Sequence, residues 1–274
     1  MKYTPRELKD NVNISRTSPL KELFLLLGGV LGIVLLVYIA LGFAVDVVVK
    51  KLPAEIEKDL GGLYSGMYEN TEKTPAGLGL QQILDELVKQ LPERELQYKA
   101  RLVHGSRANA LALPGGNVII FSALIKEIDS ENTLAFVLAH ELGHFANRDH
   151  LRGLGRRLVL LFFSVALLGT DSSVTNFIMS SVINVEMKFS QRQEKMADLF
   201  ALDLLNRRYG HVSGATDFFE RMSKKEKMSH ILYYFTTHPY PESRVGILNE
   251  KIKEKGYAMK EKIPLNDSFK SPED

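Results

Sequence analysis

At 274 residues, with 35 basic side chains against 33 acidic ones and a net charge of +2, the chain is long enough to bury a sizeable core. Its charges are interleaved rather than gathered into a basic stripe, so no nucleic-acid partner is expected. There is no cysteine, which excludes disulfides, thiolate metal sites and cysteine nucleophiles; any metal must be held by His, Asp or Glu, and there are only seven histidines.

Residues 1–22 are polar, with Lys2, Arg6, Lys9, Arg16 and Lys21 set against Glu7, Asp10 and Glu22. Leu23 to Val45 is then an uncharged run of 23 residues, roughly 34 Å as a helix, enough to cross a hydrocarbon core of about 30 Å. A cleaved signal peptide would have a shorter apolar region, so the run reads as a retained anchor, a transmembrane helix meeting the lipid bilayer over residues 23–49. Five basic residues precede it and Lys50, Lys51 and Lys58 follow it. The positive-inside rule therefore places the N-terminus in the cytoplasm and the rest of the chain outside it.

Residues 50–76 are of mixed composition, contain Gly61-Gly62, and read as a connector. Leu78, Leu80, Ile83, Leu84, Leu87 and Leu91 follow helical spacing up to Pro92, which ends that helix. Between Gln97 and Phe121 the turn chemistry of Pro114-Gly115-Gly116 lies between β-rich runs and predicts a hairpin. Its first strand, Asn109-Ala110-Leu111-Ala112, can be an ordinary structural strand or an edge that pairs with an extended peptide. One strand can do both.

Asp129 and Ser130 are N-cap candidates for the next helix, in which Leu134, Val137, Leu138, Leu142 and Phe145 recur at 3–4 spacing. This helix carries His140-Glu141-Leu142-Gly143-His144. Histidines four apart share one helix face and can both reach one metal ion, and Glu141 can sit beside a zinc-bound water as general base. Leu158 to Leu168 and Val174 to Val185 are apolar runs about half the length a span requires, and read as core or membrane-surface helices, with a re-entrant hairpin as the alternative. Residues 187–207 and 217–235 are expected to be helical, and the polar residues from Lys255 onward read as a disordered tail.

A catalytic zinc takes three protein ligands and an open position. Two residues compete for the third place. His150 completes His140-Glu141-x-x-His144-x-x-Asn147-x-x-His150, close to the metzincin pattern with Asn147 at the glycine position, although no Met-turn is evident. Glu194 lies one helical turn from Asp198, which can receive the free ring N–H of a ligand histidine.

With Glu194-x-x-Ala197-Asp198 after the His140-Glu141-Leu142-Gly143-His144 motif, the chain resembles the gluzincin metallopeptidases that include the CAAX prenyl proteases and the HtpX-like membrane proteases. The resemblance extends to Asn109-Ala110-Leu111-Ala112-Leu113-Pro114-Gly115-Gly116 and to Thr237-His238-Pro239 with Arg244, so that it spans about residues 100–250. The family's Ser-Arg pair upstream of the glutamate is displaced by one here, as Ser190-Gln191-Arg192, and the single anchor differs from the multi-spanning members, so prenyl-peptide processing is not carried over.

The resemblance implies a zinc endopeptidase with one Zn2+ per chain held by His140, His144 and Glu194, Glu141 as general base, and Asp198 behind a ligand histidine. It further implies that His238 helps stabilise the oxyanion and that Arg244 clamps the loop of His238. The fold expected is α+β and predominantly helical, a zincin-type metallopeptidase domain over residues 77–254 with a small β-sheet, plus one N-terminal transmembrane helix. Protein or peptide substrates follow, as does a single-pass place in the inner (cell) membrane with the catalytic domain in the periplasm, serving protein quality control or processing. The competing class is a proteolytically silent zinc-binding chaperone or scaffold of the same fold, against which the intact Glu141 argues.

Overall fold

A computed structural model describes residues 18–65, 74–92, 96–183, 188–224, 234, 236–239 and 241–269. The chain divides into two compact units, one up to Ala44 and one from Val45 onward. Most of the first is helix α1 (Pro19–Lys50), 32 residues long or roughly 48 Å. Phe24, Leu25, Leu31 and Leu36 on it are each more than two-thirds exposed. Among the described residues it is the one helix long and apolar enough to cross a membrane.

The second unit is predominantly helical around a mixed three-stranded sheet of order β1-β3-β2. Strand β1 (Lys99–Val103) runs parallel to β3 (Asn117–Phe121), and β2 (Ala110–Leu113) pairs antiparallel with β3, Ala110 opposite Ile120. The expected hairpin is present. Gly115 and Gly116 turn it with φ of 79° and 81°, a region that side chains avoid. A Cβ on Gly116 would also lie 2.4 Å from the Gln97 carbonyl oxygen.

Residues 50–76, read as a connector, instead contain helix α2 (Ala54–Ser65), whose Glu57 is buried and whose Gly61 lies against the backbone of Gly115. A glycine that reads as slack in the sequence is here the only residue type that allows two backbones to touch. Helix α3 (Pro75–Val88) starts before Leu78 because Thr74 accepts from the Gly77 N–H and Pro75 suits the first turn. The expected disordered tail also needs correcting. The Ile263 carbonyl accepts from the Glu131 N–H, the Ala258 carbonyl from the Val212 N–H, and Phe269 is buried against Gly79. Apolar side chains spaced along a polar stretch suffice to seat it; residues 270–274 lie outside the described residues.

After the single turn α4 (Ser122–Ile125) comes α5 (Glu131–Ala146), the centre of the unit. Every residue from Asn132 to Phe145 is buried, because α3, β2, α6 (Asp149–Leu168) and α8 (Gln191–Tyr209) surround it. The sequence shows only one of its apolar faces. Helix α7 (Ser173–Ile183) folds back on α6, and past Leu154 the buried residues described on the two helices are Ser164 and Thr175. Helices α9 (Asp217–Lys224) and α10 (Pro241–Lys255) complete the unit, and the part of the expected 217–235 helix from 225 to 233 lies outside the described residues.

Helices α5 and α8 meet at Gly143, where a Cβ would fall 2.8 Å from the Ala197 Cα and 3.0 Å from its carbonyl oxygen. Both atoms are backbone and cannot swing aside. Gly143→Ala should therefore cost about 1–3 kcal/mol of stability by overpacking, read as a fall in Tm on thermal denaturation. An unchanged Tm would show that the two helices are not held this tightly.

Candidate metal centre

The site is assembled from two capped helices. Ser130 accepts from the Thr133 N–H at 3.3 Å to start α5, and Glu131, in the first turn where the helix dipole favours it, accepts from the Tyr209 hydroxyl. Ser190 and Gln193 form a reciprocal capping box at the start of α8. Helix α5 then presents His140 and His144 one turn apart, and α8 presents Glu194 and Asp198 on the facing side. His238 enters from the segment before α10.

His140, His144, Glu194 and His238 each offer one donor atom, and the four atoms lie within 4.8 Å of one another. Asp198 Oδ1 accepts from His140 Nδ1 at 2.9 Å, and Asp149 Oδ2 accepts from His144 Nδ1 at 3.0 Å. A carboxylate can only accept, so both rings carry their proton on Nδ1 and turn a lone pair inward from Nε2. Those two Nε2 atoms are 3.1 Å apart, and each is 3.6 Å from an oxygen of Glu194. Facing lone pairs at this distance repel unless a cation or a proton lies between them. The donor set fits a metal of the imidazole- and carboxylate-binding class.

The electrostatics agree. Burial works against charging His144, but the carboxylates of Asp149 and Glu194 outweigh it and push its pKa up to about 10. Burial lowers that of His140 despite Asp198. One proton fits between two such nitrogens, and His144 holds it. Burial opposes ionisation of Glu194, yet Arg244 and His238 hold its carboxyl well below the usual range. Asp198 is likewise lowered, against the cost of its burial, by Arg244 and His140.

Arg244 is buried and grips α8. Its Nε donates to Asp198 Oδ2 at 2.8 Å, one terminal nitrogen donates to Asp198 Oδ1 at 2.7 Å, and the other lies 2.5 Å from Glu194 Oε2. His238 Nδ1 lies 3.1 Å from Glu194 Oε1 and 3.3 Å from His140 Nε2, while its Nε2 is 3.7 Å from Glu141 Oε1. Both oxygens of Glu141 are buried without a hydrogen-bond partner among the described residues.

His150 lies outside the cluster. Its Nε2 meets Glu57 Oε1 of α2 at 2.8 Å, and its ring packs on Phe145. The turn that carries it away is left-handed at Arg148 (φ 54°) rather than at Asn147 (φ −86°). Arg148 is held there by donating to the carbonyls of Val49 and Leu52, at 3.0 and 2.5 Å. Strand β2 lies at the edge of the sheet beside α5. Asn109 precedes that strand, and its buried side chain accepts from the Thr237 hydroxyl at 3.1 Å, tying the strand to the segment of His238.

Several residues of the site escape sequence reasoning. Asp149 orients His144 and is itself held by Gln193 Nε2 at 2.8 Å; Phe189 stacks on His144 and Tyr234 on His238. Asp149 had a signal: an acidic residue five positions past the second histidine, opening the next helix, where a ligand imidazole needs an acceptor. The two aromatic rings had none.

Residues 78–252 match the family model described as Peptidase family M48. The chain is 26% identical over 184 residues to the mitochondrial metalloendopeptidase OMA1 of Schizosaccharomyces pombe, covering 66% of this chain and 54% of that protein. To the beta-barrel assembly-enhancing protease of Escherichia coli (strain K12) it is 27% identical over 160 residues, 53% of this chain and 32% of that one. To the metalloprotease LoiP of the same strain it is 28% identical over 153 residues, 54% and 60% respectively. The chain thus spans between about a third and three-fifths of the length of these relatives. With a match over well more than half of its residues, the chain belongs to peptidase family M48.

Proposed function

We propose that the chain is a membrane-anchored zinc endopeptidase acting on proteins or peptides. The observation that carries this reading is the pair of inward-facing imidazole nitrogens 3.1 Å apart beside Glu194, with the carboxylate of Glu141, which has no hydrogen-bond partner among the described residues, next to them. His140, His144 and Glu194 would hold the ion, and Asp198, Asp149 and Arg244 fix the bearing of those ligands. When bound, zinc lowers the pKa of a water to about 7 and polarises the scissile carbonyl. Glu141 accepts the proton of the attacking water and returns it to the leaving amine. His238 Nε2 lies 3.7 Å from Glu141 Oε1, which supports a role for it as donor to the developing oxyanion. Strand β2 offers its outer edge, Ala110–Ala112, to an extended substrate, with Asn109 bracing it.

The anchor is α1, with its N-terminus in the cytoplasm and the catalytic unit on the far side of the inner membrane, where protein quality control or processing is the role that suits it. The relatives named as proteases support protein substrates. The test is hydrolysis of an unfolded protein by the purified full chain, with metal content measured on the same sample. Cleavage that a chelator abolishes and zinc restores is expected. A properly folded chain that binds zinc and cleaves nothing leaves the silent scaffold as the answer.

Metal binding should also depend on pH in a definite direction. With the pKa of His144 at about 10, a proton occupies the position between the rings at pH 6–8 and must leave when the metal enters. Apparent affinity should rise by about tenfold per pH unit across that interval. A flat profile, measured by competition with a chelator of known pH dependence, would show that no proton is displaced.

A further inference from the structure

From Leu158 to Ile183 the only charged residue is Asp171, at the turn between α6 and α7. Leu158, Phe162, Leu167, Leu168, Val174, Phe177 and Met179 are each 43–74% exposed. They lie on more than one side of the two helices, so this is not the single apolar stripe of a surface helix. A helix apolar all round belongs in a core or in lipid. The polar groups between the helices are satisfied from within. Ser164 and Thr175 share a hydrogen bond of 2.7 Å, and the Thr175 hydroxyl also donates to the Gly169 carbonyl at 2.8 Å. Lipid demands this internal pairing of polar groups.

The base of the hairpin is moored where the apolar run of α1 ends. Val45, its last residue, packs on Gly155, and Asp46 pairs with Arg152 at 3.4 Å and Arg156 at 3.2 Å. Arg157 beside them donates to the Ser181 carbonyl and closes the base. Lys50 closes α1 and Lys51 follows it. The uncharged run of the hairpin, which opens at Leu158, thus begins directly after a charged collar fastened to the point where the apolar run of α1 ends.

We infer that the α6–α7 hairpin is a second membrane contact, inserted obliquely into the bilayer leaflet that adjoins the end of α1. Residues 158–168 would reach about 16 Å at full length, close to the depth of one leaflet. Arg152, Arg156 and Arg157 stay at the headgroups, and oblique entry keeps the Asp171 turn away from the midplane. The inference rests on the reading of α1 as the anchor.

Because the chain has no cysteine, single-cysteine labelling tests it without background. Full-length Phe162→Cys, Leu167→Cys and Phe177→Cys, each carrying an environment-sensitive dye, are reconstituted into phosphatidylcholine–phosphatidylglycerol vesicles. Leu31→Cys reports α1 and Lys255→Cys reports solvent. Brominated lipid should quench the three hairpin sites as it quenches Leu31→Cys, and aqueous iodide should reach only Lys255→Cys. Iodide quenching at the hairpin with Leu31→Cys still lipid-protected overturns this inference alone. Iodide quenching at Leu31→Cys as well overturns the anchor with it. Hairpin sites shielded from both quenchers would be covered by protein, a second copy included, which also overturns it.

Discussion

Glu141→Gln should lower peptide hydrolysis by about 10³-fold or more while leaving metal content at one ion per chain. The magnitude is that of removing a positioned general base. The substitution keeps the shape of a side chain whose oxygens have no hydrogen-bond partner among the described residues, so it breaks no hydrogen bond there. The amide cannot accept the proton of the attacking water. Metal analysis and steady-state hydrolysis on one preparation give the answer together. Near-normal turnover with metal present would remove Glu141 from the mechanism and leave His238, 3.7 Å away, as a candidate base.

Glu194→Ala should remove the metal, and His150→Ala should not. Glu194 lies 3.6 Å from the inward nitrogens of both His140 and His144, whereas His150 is turned to Glu57. Loss of a ligand should exceed the 10–100-fold cost in affinity that removing an orienting partner such as Asp149 carries. Arg244 keeps both bonds to Asp198 in Glu194→Ala, so the helix pair stays clamped. Glu194→Gln, of the same shape, separates lost ligation from lost packing. His150→Ala should instead reduce stability, because it strands the Glu57 carboxylate in a buried place. Metal retained without Glu194 and lost without His150 would return the site to the metzincin pattern.

Much of this site can be read from the sequence because its chemistry is local. Two histidines one turn apart, and a glutamate one turn before an aspartate, need only helix periodicity to share a face. The long apolar run and the Pro-Gly-Gly hairpin are equally local. What escapes the sequence depends on contacts between distant segments. That α5 is buried on every side depends on α3, β2, α6 and α8 reaching it together. That Arg244 reaches across to α8 depends on how α10 packs. Gly61 and the polar segment after Lys255 mislead for one reason: small or polar residues mark slack in a sequence, yet they also permit close backbone approach and bridging hydrogen bonds.

The bonds from Arg148 to the carbonyls of Val49 and Leu52 bear on how the protein can be cut and recombined. Sequence composition suggests two interchangeable modules, an anchor and an enzyme, separable anywhere in the fifties. A fragment beginning at residue 53 would take from Arg148, four residues from His144, the acceptors Val49 and Leu52, and would strip Asp46 from Arg152 and Arg156. The last turn of α1 is thus a structural part of the metallopeptidase unit. A chimaera carrying a foreign N-terminal helix has to be joined before Val45.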